Sequence, residues 1–253
     1  MIEVIPTLLD RIQERARQAR PTDIRIGAYW TYVAVELAGR TPAGLSSTLS
    51  GGSHEGHRRG QMPIPDAGRL LDYDVAALAS LAADDDLLPA SVGFATINAL
   101  LDIDESLCTE VNAADVIAER GRGAKVAVIG HFPFISKLKE IADELWVLEL
   151  QPSEGDLPAA AAADVIPQAD VVALTGTSLL NRTFDGLMRL CRQDAFVVVL
   201  GATTPLSPVL FEAGADAISG TRVIDPARAA LAVSQGATFR QIPGKRLLTM
   251  FRP

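Results

Sequence analysis

The chain has 253 residues, 48% hydrophobic and 21% charged, with a formal net charge of −8. That is enough to bury a core and to form two compact domains, and the negative balance gives phosphate backbones no general attraction, so nucleic acid is not an expected partner. No run of about 18 or more apolar residues occurs, and the start MIEVIPTLLDRIQERARQAR lacks the apolar stretch of a signal peptide, so neither a membrane partner nor export is expected and a cytoplasmic location is.

Ile5, Leu8, Leu9, Ile12 and Ala16 recur at helical spacing, mostly opposite Arg11, Glu14, Arg15 and Arg17, which predicts an amphipathic helix over 5–19 with Pro21 ending it. Residues 24–29 and 31–38 are rich in β-branched and aromatic types and predict two strands joined by a tight turn, with a third over 43–49. The stretch SGGSHEGHRRGQMPIP, 50–65, predicts a long loop. Two helices follow over 74–83 and 89–101, separated by the capping cluster Asp84, Asp85 and Asp86.

A connecting helix over 113–119 leads to GRGA, after which the pattern changes. Short apolar runs at 125–130, 144–150, 169–177, 195–201, 217–223 and 246–251 alternate with helical segments. Runs without polar alternation suit strands buried on both faces, joined by crossover helices. The expectation is four or five parallel strands in a Rossmann-like, mostly parallel α/β domain over 111–253, preceded by a smaller α+β domain over 1–110. The two cysteines, Cys108 and Cys191, fall in different domains and read as reduced thiols.

In an open α/β sheet, ligands sit at the carboxyl ends of the strands, where strand order reverses. The residues there are Gly130-His131-Phe132-Pro133-Phe134 after the first run, 175–181 (TGTSLLN) after the third and 201–208 (GATTPLSP) after the fourth. Glycine lets backbone approach a ligand, and Thr, Ser and Asn offer hydroxyl and amide groups near helix N-termini. Each loop alone is also an ordinary strand-to-helix turn; three together predict a polar, neutral rim suited to an anionic or heteroatom-rich small molecule. Glu149 ends the second run about 20 residues after Gly130, where an acidic side chain bonds ribose hydroxyls in dinucleotide folds. That points to a nucleoside-type ligand, with surface capping as the alternative. The turn GHFPF, in place of G-x-G-x-x-G, argues against NAD and FAD.

His131 reads as a general base or metal ligand, or as a core-edge histidine bonded to backbone. His54 and His57 form an H-x-x-H spacing and are a candidate transition-metal site, although the surrounding glycines and prolines disfavour the helix that would align them. Asn98, on an apolar helix, must find a partner in backbone, water, the other domain or a ligand. No nucleophile elbow, P-loop or C-x-x-C occurs.

GHFPF, the segment LELQPSEGDLP (148–158), TGTSLLNRT and GATTPLSPVLFEAGAD resemble the putative heavy-metal chelation domain family, and IGAYWTYVAVE with SVGFATINALL resembles the enolase N-terminal-like domain that accompanies it. The resemblance implies a presumed site in a cleft between the two domains and a suggested link to metal or metal-chelate handling. By motif matching, that site would draw on Asn98, His131, Glu149, Thr175, Gly176, Thr177, Asn181, Gly201, Thr203, Thr204 and Pro205.

Three functions follow as expectations. The first is binding, with or without processing, of a small metal-chelating molecule or metal complex. The second is a biosynthetic enzyme using a nucleoside-type cosubstrate such as S-adenosylmethionine, and the third is a non-catalytic binding or scaffold protein. A homodimer is the base expectation.

Overall fold

Val4, Leu8, Ile12 and Ala16 lie four residues apart and are all buried, the stripe that makes 4–18 a helix. The computed structural model describes residues 2–49, 64 and 66–253, so the predicted loop over 50–65, apart from Ile64, and the histidines His54 and His57 lie outside the described residues. Pro21 does not merely end the helix. It falls inside the first strand, β1 (Arg20–Ile26), opposite Val35, and the register slips between Pro21 and Asp23. An edge strand with a bulge is where a residue without an N–H is tolerated.

β1 pairs antiparallel with β2 (Trp30–Glu36), and β2 with β3 (Ala43–Ser47). The helix Leu87–Leu100 packs on β2 and β3 and is buried nearly all round. Its polar groups are accounted for: Ser91 Oγ donates to Leu87 O, Thr96 Oγ1 to Val92 O, and Asn98 Nδ2 to Leu45 O of β3 at 2.9 Å. Arg15 Nε donates to Leu100 O at 2.6 Å, satisfying a carbonyl that the helix end leaves open.

The second sheet has eight strands. After β4 (Cys108–Thr109) come β5 (Lys125–Ile129), β6 (Glu144–Glu149), β7 (Leu157–Pro158), β8 (Val171–Thr175), β9 (Phe196–Leu200), β10 (Ala217–Val223) and β11 (Lys245–Phe251), in the spatial order β4-β11-β10-β9-β8-β5-β6-β7. β5, β6, β8, β9 and β10 are parallel, β7 adds a short parallel edge, and β4 pairs antiparallel with β11. Val126, Ala127 and Val128 are all buried, as are Val172, Ala173 and Leu174, the two-sided burial of a parallel sheet covered by helices. Those helices are short, for example Ile135–Ile141 and Phe184–Leu190.

From β5 the chain moves to β6 and β7 on one side, then returns to lay β8, β9 and β10 on the other. The strand order therefore reverses at β5. In such sheets the two loops diverging from the reversal leave a crevice.

The chain divides into two compact units, one of Met1–Val4, Asp104–Gly220 and Leu247–Pro253, the other of Ile5–Ile103 and Thr221–Arg246. The expected division at residue 110 puts 221–246 with the parallel sheet; the contacts group it with the three-stranded sheet. The reason is apolar. Ala229, Ala230, Val233 and Ile242 share a buried cluster with Tyr32, Ala34, Ala43 and Leu45, and the helix Pro226–Ser234 packs on β1 and β2. Among the described residues no helix is long and apolar enough to cross a membrane.

Candidate functional site

At the carboxyl ends of β5, β6 and β8 lies a cavity of about 340 Å³, within the size range of small-molecule sites. Each strand contributes the residues that follow from its register. Ile129, Gly130, His131 and Phe132 leave β5, Leu148, Glu149 and Leu150 leave β6, and Thr175, Thr177 and Ser178 leave β8. Asn181 and Thr183 close the far side. The cavity sits at the strand-order reversal.

Gly130 has φ +105°, and a Cβ there would fall 3.1 Å from Thr175 Cβ and 3.2 Å from Phe132 Cε2. Only glycine allows β5 to turn out of the sheet at this point while Thr175 and Phe132 close over it. Phe132 stacks on Phe134, with ring centroids 5.1 Å apart, so the first turn presents an aromatic wall in place of a glycine-lined phosphate cradle. The apolar side is completed by Ala159, Ala162 and Leu187.

The polar side is a set of hydroxyls and one amide held by local bonds. Thr175 Oγ1 and Thr177 Oγ1 share a hydrogen bond at 3.0 Å, Ser178 Oγ donates to Thr175 O at 2.7 Å, and Thr183 Oγ1 donates to Asn181 Oδ1 at 2.7 Å. Glu149 is half-buried at the cavity, and its Oε2 accepts from Leu150 N at 3.1 Å. Among the described residues no Lys or Arg side chain lines the cavity. A carboxylate, an imidazole and hydroxyls favour neutral or cationic ligands over phosphate-rich ones.

One partner was hidden in the sequence. His131 Nδ1 lies 3.3 Å from Asp156 Oδ2, and the Asp156 side chain is 6% exposed against 56% for His131. Asp156 stands just before β7. Its carboxylate also accepts from Ser153 N at 3.1 Å, and its own N–H donates to Ser153 O. The segment GDLP was visible, yet nothing in spacing links position 156 to position 131; parallel pairing of β7 beside β6 does.

Of the residues expected at the site, His131, Glu149, Thr175, Thr177 and Asn181 line this cavity. Gly176, Gly201, Thr203, Thr204 and Pro205 do not. Gly176 N donates to Leu200 O, Thr204 N donates to Gly201 O, and Thr203, Thr204 and Pro205 are buried as a turn behind the β8 loop. Asn98 belongs to the other unit and bonds β3. Among the described residues no three His, Cys, Asp or Glu side chains gather as a metal-binding group.

Two family models, both described as "Putative heavy-metal chelation", match residues 112–251 and 9–101. An uncharacterised protein of Methanocaldococcus jannaschii is 25% identical over 236 residues, which span 90% of this chain and 88% of that one. A solved structure of a DUF364-family protein of unknown function from Desulfitobacterium hafniense matches with TM-score 0.79 at 25% identity, covering 98% of this chain and 99% of that one. A second, from Pyrococcus horikoshii, matches in fold with TM-score 0.83 at 19% identity, covering 99% and 100%.

Proposed function

We propose, from the premise that this chain belongs to the DUF364 family described as "Putative heavy-metal chelation", that it binds a small metal-chelating molecule or its metal complex in the cavity at the carboxyl ends of β5, β6 and β8. The observation that carries this reading is the lining. Among the described residues, the cavity of about 340 Å³ has an apolar wall, a ring of hydroxyls, a single carboxylate at Glu149 and no Lys or Arg side chain. Soft and borderline metals are held tightly by thiolates and clustered imidazoles, which the described residues of this cavity do not offer; hydroxyls and an amide instead recognise the organic part of a complex. The metal is then cargo, ligated mainly by the small molecule.

Native mass spectrometry of gently purified protein tests this. The expected result is an added mass matching an organic chelator or a metal–chelate complex, with no equimolar metal alone. Equimolar metal without an organic partner, surviving dialysis, overturns it.

Glu149 favours a second reading, in which the same cavity holds a nucleoside-type cosubstrate and the protein is a biosynthetic enzyme. The carboxylate at the end of β6 stands where ribose hydroxyls are bonded in related sheets, and Phe132 leaves no glycine cradle for a pyrophosphate. A co-purified nucleoside mass separates this reading from the first.

A further inference from the structure

His131 and Asp156 are an unequal pair. The carboxylate is withdrawn from solvent while the imidazole is more than half exposed, and His131 lines the cavity. A carboxylate in that position is costly unless something donates to it. Its partners are the Ser153 N–H, at 3.1 Å, and His131 Nδ1, at 3.3 Å. The Ser153–Asp156 turn is closed in both directions and runs directly into β7, so the carboxylate is fixed on the sheet. Gly130, with φ +105°, fixes the point from which His131 departs.

We propose that His131 and Asp156 form a proton-accepting pair serving the cavity. Asp156 is the positioning residue: with its carboxylate 3.3 Å from Nδ1 it favours the proton on that nitrogen, which holds the ring in one tautomer and leaves the Nε2 lone pair to act as base. The donor is an O–H or N–H group of the bound chelator. Its bond to hydrogen breaks, the proton is taken by Nε2, and the electron pair stays on the ligand oxygen or nitrogen, which thereby becomes a metal donor. Metal ligation by such groups requires this loss of a proton, and the pair supplies an acceptor for it without becoming a metal ligand itself. Glu149 at the end of β6 and Lys139 of helix Ile135–Ile141 are the other charged groups lining the spaces beside His131. Naming a chelator's O–H or N–H as the proton source rests on the ligand reading given above. The pairing of His131 with Asp156 does not.

Nitrogen-15 NMR of the full chain, without ligand, reads the tautomer directly. The expected result is a neutral His131 ring carrying its proton on Nδ1, with diethyl pyrocarbonate modifying the ring near neutral pH, followed by peptide mapping separately from His54 and His57. In Asp156→Asn the tautomer population shifts toward Nε2–H, and modification of His131 slows by roughly tenfold or more, while a contact that does not set the tautomer would change neither. A wild-type ring protonated on Nε2, or equal modification rates in wild type and Asp156→Asn, overturns the proposal. Because the wild-type tautomer is decisive by itself, a variant that fails to fold leaves the test standing. A failure to find any chelator by native mass spectrometry overturns the ligand reading and leaves the tautomer result as it is.

Discussion

The Cα of Gly176 faces Thr204 so closely that a Cβ built there would fall 2.7 Å from the Thr204 backbone nitrogen and closer still to its hydroxyl. The β8 turn and the β9 turn are thus in backbone contact, and the wall carrying Thr175 and Thr177 leans on the buried turn behind it. Gly176→Ala is expected to cost about 1–3 kcal/mol of stability and to displace Thr177. Urea unfolding of the variant measures this; an unchanged midpoint would mean that the turns separate freely.

Thr204 itself is buried, and among the described residues its hydroxyl has no hydrogen-bond partner. Thr204→Val keeps the shape and removes the orphaned group, so stability is expected to hold or to rise by about 1 kcal/mol. Loss of stability would show that the hydroxyl is bonded in solution to something such as an ordered water.

Asn98 ties the helix Leu87–Leu100 to β3 through Leu45 O. Asn98→Ala leaves that half-buried junction without its donor and is expected to destabilise the protein by about 1–3 kcal/mol. Chemical denaturation reports it, and a variant as stable as the parent would free Asn98 for a role other than this tie.

At Glu149 the Leu150 N–H can still be accepted by a glutamine oxygen, so Glu149→Gln is expected to fold normally. If the carboxylate bonds ligand hydroxyls, affinity for the co-purified ligand falls by about 10–100-fold, the worth of a charged hydrogen bond. Calorimetry showing equal affinity would remove Glu149 from the site.

Burial, with a smaller contribution from the nearby Asp216 carboxylate, pushes the Cys191 thiol from 9.0 up to about 11. The folded protein thus favours the neutral thiol. The stability that this group contributes is full below about pH 9 and is lost as pH rises toward about 11. Unfolding across that window should show a decline that Cys191→Ala reduces, and iodoacetamide should label Cys191 slowly at neutral pH. Rapid labelling in the native state would contradict the burial.

Much of this was legible because parallel strands announce themselves. The run at 125–130 became β5, the run at 195–201 became β9, and the rule that ligands gather at strand carboxyl ends led to His131, Glu149 and Thr175. The two-residue strands β4 and β7 carry too few residues for any periodicity to register. Asp156 escaped because its tie to His131 depends on sheet register, and nothing in the residue types says that the turn holding Thr203 and Thr204 is buried. Nor does the apolar stripe of the helix Pro226–Ser234 say which sheet it will cover.

The segment 221–246 has a consequence for how the protein is made. The chain leaves the parallel unit at Gly220, contributes Thr221–Arg246 to the other unit and comes back at Leu247. During synthesis, Tyr32 and Leu45 emerge long before Ala229 and Val233, the residues that share their buried cluster. An N-terminal piece cut at residue 110 would carry that face uncovered and be prone to aggregate. One unit cannot close its contacts until Thr221–Arg246 has been made, nor the other until Leu247–Pro253 has.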